Sequence, residues 1–347
     1  TAMNYMADDV VKGFVNRKMV NKDLSWEVSK VFNLGFDLGF FNGQLNTEID
    51  YYNRLTSGMN RPSEMSMLLT GAYTAPRRNI GEMRNRGLEL NITWRDRVGK
   101  VDYSVNVNGA YNRTTLEEWN EYLGRGWVFI NMPYHFLYTY KDAGIAQTWE
   151  DIYSYTPQGL APGDVIRLDL NGDGIVDGKD RMAYENIQRD RPTVTGGITL
   201  TAAWNGFDVV ALFNGATGRK DYWVTNYNNT SFSDRRYAST WDHWNRPWSL
   251  ENREGDWPRL GTGTSRSDNS FYLYDMSYLR LKNLQLGYNL PSTFVNWMGI
   301  SSIRLYVSSE NLFTLTNYPG LDPEKSSNSR DLFPINRSYS AGINVRL

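Results

Sequence analysis

The sequence has 347 residues and no cysteine. Disulfides, thiolate metal sites and a cysteine nucleophile are therefore excluded. Histidine is nearly as scarce, since only His135 and His243 occur. Two imidazoles cannot build a multi-histidine metal centre, and any Ser-His-Asp arrangement would hang on one of them. Nowhere do some 18 apolar residues run together, so no membrane-crossing helix is encoded. Charge of one sign is also missing: 37 Lys and Arg stand against 38 Asp and Glu, a net charge of −1. Nothing in that balance would neutralise a phosphate backbone, which argues against a nucleic-acid partner. The opening TAMNYMADDV has no initiator Met, basic n-region or apolar h-region. The expectation is a piece of a longer protein, with residues 1–26 a loop or connection from the preceding part.

Aromatic residues are abundant, with 12 Trp, 23 Tyr and 14 Phe. A chain this rich in rings has the means to order itself. Its dominant pattern is alternation with period two, the signature of a strand with one apolar and one polar face. Val101, Tyr103, Val105 and Val107 fall on one side, and Asp102, Ser104, Asn106 and Asn108 on the other. Leu88, Leu90, Ile92 and Trp94 repeat the pattern just before, across a short turn, which reads as a hairpin. Similar runs cover 32–40, 45–51, 198–204, 207–213, 278–290, 303–313 and 339–347. Asn42-Gly43 and Asn205-Gly206 mark two turns that demand positive φ. The sum is about nine strands of roughly 9 to 12 residues, the length of a tilted membrane-spanning strand.

Connection lengths give the architecture. Those at 41–43, 96–100, 205–206 and 291–301 are short, while those at 55–83, 114–192, 217–277 and 314–336 are long, in strict alternation. Outer-membrane barrels have tight periplasmic turns and long extracellular loops. In a compact soluble domain such long loops would count against the assignment. The predicted fold is all-β, an antiparallel transmembrane β-barrel portion spanning 27–347 with those four long loops extracellular. Phe40, Trp94, Tyr103, Trp204, Phe207 and Tyr288 would form one aromatic girdle, and Tyr51, Tyr111, Phe213 and Tyr339 the other. Asp37, Glu48, Asp50, Glu89 and Asp102 should face a hydrated lumen. The competing reading is a soluble β-sandwich, either a carbohydrate-binding module or a glycan-active protein, whose strands also alternate. It offers no reason for one-sided long loops.

The run Ser277-Tyr278-Leu279-Arg280-Leu281-Lys282-Asn283-Leu284-Gln285-Leu286-Gly287-Tyr288 resembles a signature near the C-terminus of SusC/RagA-family TonB-dependent transporters. So do 304–314 (RLYVSSENLFT) and 318–324 (YPGLDPE), and, earlier, 33–37, 50–54 and 85–90. The resemblance covers about residue 26 to the end. It implies that the chain is the last part of a 22-stranded outer-membrane barrel with an N-terminal plug. It further implies a SusD-like surface lipoprotein as lid, energy from the TonB complex, outer-membrane lipid around the wall, and import of an oligosaccharide or peptide by a Gram-negative bacterium, without enzymatic activity. Leu347 stands where such barrels often end in Phe, and keeps an apolar side chain there.

Within the longest loop, Asp169, Asn171, Asp173, Asp177 and Asp180 occupy positions 1, 3, 5, 9 and 12 of an EF-hand-like loop, with the Ile175 carbonyl at position 7 and Gly174 at the turn position 6. A hard cation takes six to eight oxygens, so calcium is the expected cofactor. Crowded carboxylates favour a bound cation over the alternative, an Asx-rich turn with purely local hydrogen bonds. Trp241, Trp244 and Trp248 are candidate substrate-stacking residues, against the simpler reading that they form the private core of their loop. Thr115 and Glu118 have capping-box spacing and predict a short helix. His135 reads as a packed loop residue.

Overall fold

Alternating side chains need a sheet with two different environments, and the computed structural model supplies one. It describes residues 2–6, 10–14, 20–63, 76–119, 130–134, 136–189, 191–222, 246–259, 268–296, 299–325 and 334–346. Nine long strands form one sheet: β1 Val28–Phe40, β2 Leu45–Ser57, β3 Glu82–Val98, β4 Val101–Glu118, β5 Val194–Trp204, β6 Phe207–Thr217, β7 Tyr278–Asn289, β8 Ser302–Thr316 and β9 Ser338–Arg346. Their order in the sheet is their order in the chain, a meander in which each strand pairs with its sequence neighbours. From β4 to β9 every pairing is antiparallel.

The register carries the apolar face across the sheet. Val105 opposes Leu200, Leu200 opposes Ala211, and Ala211 opposes Leu284. Two rows along on the same face, Trp204 opposes Phe207, which opposes Tyr288, which opposes Leu305, which opposes Ile343. These side chains look outward: Leu200 is 39% exposed, Trp204 53%, Phe207 54% and Ile343 65%. Ile92 and Val105 are half-buried among strand neighbours and belong to neither buried cluster. Among the described residues the buried clusters consist of residues outside the nine strands, with Trp257, Tyr272, Met276 and Tyr318 in one and Ala146, Ile152 and Ile166 in the other. Among the described residues, neither buried cluster takes a member from the greasy face of the sheet.

Tight turns follow their sequence signals. Between β5 and β6, Asn205 takes φ 48° and Gly206 φ 90°, the left-handed pair of a two-residue hairpin turn. Between β1 and β2, Asn42 and Gly43 have φ 55° and 85°. The 291–301 connection carries a helical turn, Ser292–Asn296. Rings gather beside these turns, with Phe207 and Tyr288 centroids 4.5 Å apart and Phe41 and Trp94 5.9 Å apart. The Trp94 indole N–H donates to the Tyr103 hydroxyl at 3.1 Å.

Three features depart from simple alternation, the first a β6–β7 register slip between Leu212 and Phe213 that leaves Lys282 as the extra residue. The β7–β8 register slips between Leu281 and Asn283, so that Lys282 faces both Asn311 and Leu312. Asn311 has φ 52°, the left-handed conformation of a bulged residue. Thr115 and Glu118 do not start a helix: both continue β4, and the Thr115 hydroxyl donates to the Glu117 carboxylate at 2.8 Å. Backbone pairing of Thr114 and Leu116 with Asn131, Met132 and Tyr134 overrides the local capping signal.

The chain divides into two compact units, residues 1–34, 51–88 and 112–134 in one and 35–50, 89–111 and 135–347 in the other. In the first, Asn60–Pro62 pairs with Arg77–Asn79, and Ala2–Met6 with Val10–Phe14 inside the segment expected as a plain connection. Tyr52 lies flat over Gly87, where a Cβ would collide with its ring, and its hydroxyl accepts from the Asn112 amide at 2.5 Å. In the second, the long connections hold their own small ladders, Phe136–Tyr140 with Arg181–Gln188, Asp142–Ile145 with Val165–Arg167, and Lys220–Tyr222 with Leu273–Asp275. A helical turn, Trp149–Tyr153, is capped by Thr148 and Asp151. No helix among the described residues is long and apolar enough to cross a membrane, which says nothing of crossing by strands.

Candidate functional site

The face opposite the apolar one carries the chemistry. Asp208 and Arg304 form a bidentate pair on it, Arg304 Nε to Asp208 Oδ2 at 2.9 Å and Nη2 to Oδ1 at 2.5 Å. The pair lies across Gly287, where any side chain would collide with it. Asn91 donates to Glu48 at 3.0 Å, and Asn106 donates to Asn91 at 2.7 Å. Glu48 and Asn91, with Asp50, Glu89 and Asn108, line a hollow of about 420 Å³. Asp50 reaches over Gly35. Asp102 turns instead to Arg97 near the end of β3, at 2.6 and 2.7 Å. A polar wall of hydrogen-bonded amides and carboxylates is what a hydrated path requires.

Towards the long-loop end the wall becomes a buried ion-pair cluster. Arg280 on β7 donates to Thr314 on β8 at 2.9 Å and to Asp322 at 2.9 Å, and its Nη1 lies 3.1 Å from Glu324. The Arg280 and Asp322 side chains are 3% and 1% exposed. The Tyr278 hydroxyl donates to Glu324 at 2.7 Å. Burial pushes the Glu324 carboxyl up, but Tyr278 and Arg280 outweigh it and hold the group below its ordinary value. Arg219 donates to the backbone carbonyl of Glu324 at 3.1 Å. Burial in the adjoining cluster pushes the Tyr318 phenol up to about 12. The YPGLDPE segment is thus clamped onto the polar face by charge. Arg280, Asp322 and Glu324 were legible as a motif, although nothing in their spacing announced that they meet.

The acidic loop folds tightly upon itself. Asp169 accepts from the N–H groups of Gly172 at 2.7 Å and Gly174 at 2.9 Å, Asp173 accepts from Ile175 at 3.0 Å, and Asp177 accepts from Lys179 at 2.8 Å. Asn171 accepts from the N–H of Asp173 at 2.9 Å. Asp180, fully buried, draws the loop ends together by accepting from Leu170 at 2.9 Å and Asp177 at 2.8 Å. Gly172 and Gly174 take φ 72° and 82°, turns that a Cβ would strain. Burial raises the Asp169 carboxyl, yet the N–H groups of Gly174 and Gly172 hold it below the usual range. Among the described residues no group of three or more His, Asp or Glu side chains is gathered as metal ligands.

The tryptophan expectation divides. Trp241 and Trp244 lie outside the described residues, as do His135 and His243. Trp248 is 6% exposed. Its ring covers Gly163 and its indole N–H donates to Gln147 at 2.8 Å. Packed in this way it offers no stacking face to a ligand, which corrects the expectation for that residue. Sequence reasoning missed another aromatic cluster: the guanidiniums of Arg167 and Arg181 lie 4.4 and 4.8 Å from the Tyr140 ring centre, with Asp268 bridging both cations. No local motif marks it, because its members lie far apart in the chain.

No family model matches the chain. Curated relatives do. It is similar to TonB-dependent receptor P3 of Formosa agariphila, with 31% identity covering 98% of this chain and 35% of the relative. It is similar to TonB-dependent receptor SusC of Bacteroides thetaiotaomicron, with 24% identity covering 95% of this chain and 33% of the relative. The chain thus spans about a third of the length of the curated relatives it matches. Among solved structures, it is similar to a chain of the RagAB peptide transporter at TM-score 0.75 and 26% identity, covering all of this chain and 38% of that one. The RagAB peptide importer in its open-open state gives TM-score 0.72 at 25% identity, covering 100% of this chain and 37% of that one. These relatives are receptors and transporters rather than enzymes.

Proposed function

We propose that the chain is part of a SusC/RagA-type TonB-dependent receptor of the outer membrane and forms part of the wall of an import channel for oligosaccharides or peptides. The observation that carries the reading is the sheet itself: a sequential antiparallel meander with apolar side chains exposed on one face and hydrogen-bonded charges on the other. Hydrocarbon suits the first face and water the second. The remaining strands, the plug, a SusD-like lipoprotein lid and coupling to the TonB complex complete the proposal. Both edge strands of the sheet, β1 and β9, are exposed nearly throughout. In lipid, unpaired edges are costly, so further strands are needed to close the wall.

A peptide substrate draws support from the likeness to RagAB, which is named a peptide transporter, and an oligosaccharide from the motif resemblance at 277–288, 304–314 and 318–324. The test is uptake of labelled peptides and labelled oligosaccharides by cells whose only such transporter is the full-length protein, with and without its TonB system. Energy-dependent accumulation of either class supports the reading. A full-length protein that stays soluble without detergent and shows no heat-modifiable migration supports the β-sandwich alternative instead. We also propose that the 169–180 loop holds calcium through Asp169, Asn171, Asp173, Asp177, Asp180 and the Ile175 carbonyl. Its support is the donor set, oxygens at alternate positions of a turn closed around Gly174.

A further inference from the structure

On the apolar face, three glycines align on adjacent strands: Gly109 opposes Gly196, and Gly196 opposes Gly215. The next residues in that row are Leu279 and Leu315. Where every other row carries side chains, this one is bare over three strands. The result is a groove of about 580 Å³ floored by Gly196 and Gly215. Its walls are apolar, with Val194 40%, Ile198 37%, Leu279 40% and Leu315 60% exposed. The floor cannot simply be filled from within, because a Cβ at Gly196 would come within 2.8 Å of the Asn108 carbonyl, and one at Gly215 within 2.8 Å of the Tyr278 carbonyl. One end carries hydroxyls, where Thr217 and Ser277 are hydrogen-bonded at 2.8 Å.

We propose that this groove is a binding site for the acyl chain of an outer-membrane lipid. The groove is continuous with the lipid-facing surface: Val107 and Ile198 flank it on one side and Val194 on the other, all pointing out of the same face. Water in a hollow with such walls would be poorly hydrogen-bonded, whereas a hydrocarbon chain gains contact on three sides instead of one. Its size lies within the range of about 300–1,000 Å³ typical of small-molecule sites. It sits at the long-loop ends of β5, β6 and β7, and its hydroxyl end suits the ester region of the lipid. The inference rests on the outer-membrane reading above.

The test reconstitutes the full-length protein in phosphatidylethanolamine–phosphatidylglycerol vesicles containing a lipid with a diazirine on its acyl chain, and maps photolabelled residues by mass spectrometry. Labelling at Val194, Ile198, Leu279 and Leu315 should exceed labelling at Leu286, Val307 and Ile343 several-fold. Val194→Trp, which plugs the groove from its rim, should abolish the excess, while Leu286→Trp should leave it intact. Heat-modifiable migration of both variants guards against misfolding. Equal labelling of all outward positions, or cross-links at the groove to a second copy of the protein, would overturn the acyl-chain site and leave the membrane reading standing. No labelling even at Ile343 would overturn the membrane reading itself.

Discussion

Arg280 and Asp322 meet at 2.9 Å with 3% and 1% of their side chains exposed, joining a wall strand to the segment that follows β8. A buried ion pair is weak evidence of net stability, but losing one member leaves a stranded charge. Arg280→Met, which strands the buried Asp322 carboxylate, should therefore destabilise the protein by about 3–5 kcal/mol. The Arg280→Met, Asp322→Leu double variant should cost markedly less. Denaturant unfolding of the reconstituted protein reads both, and a double variant as damaged as the single one would show that the charge is not what matters.

Gly87 supports Tyr52 by having no side chain. Gly87→Val should cost about 1–3 kcal/mol through overpacking. Shortening the ring in Tyr52→Ala, Gly87→Val should recover part of that, because the collision is removed even though the Asn112 hydrogen bond goes with it. Thermal melting of the three proteins checks the order.

Asp151 gives a pH dependence with a definite sign. The N–H groups of Thr148 and Gln147 hold its carboxyl below the ordinary value. A depressed carboxylate lends stability above its unfolded pKa, about 3.9, and loses it as pH falls through the lower folded value. Hydrogen exchange across 147–155 should quicken below pH 4 more steeply in the native protein than in Asp151→Asn. Parallel pH profiles in the two proteins would refute this.

Chelator titration bears on the acidic loop. Removing calcium from the full-length protein should speed hydrogen exchange in 169–180 and lower its thermal midpoint. In Asp173→Asn, calcium should protect at higher concentration only. If chelation changes neither exchange nor midpoint and releases no ion, the loop is an Asx-rich turn held by its own amides.

The strands were legible because the two faces of the sheet carry opposite side-chain chemistry on successive residues, so Val101 to Val107 state their own faces. Turns were legible where a positive φ needs Asn-Gly, as at Asn205 and Gly206. The loop interiors were not, because their order comes from contacts distant in sequence: Trp248 packs on Gly163 and bonds Gln147, and Tyr140 is held by Arg167 and Arg181. Thr115 shows the limit of a local motif, since the hydrogen-bond ladder of β4 outbid a helix cap. The candidate site was half legible, with the charged residues of the wall visible and their partners hidden.

Alternation alone leaves a meander free to err in steps of two, since such a slide returns every apolar residue to the same face. The kink at Lys282 opposite Asn311 and Leu312 breaks that equivalence. A ladder displaced by two would set an ordinary stretch against the extra residue and strand Asn311 in a left-handed turn without its counterpart. The irregular step thus works as an index notch, selecting one alignment of β7 on β8 from several that the hydrophobic pattern would accept.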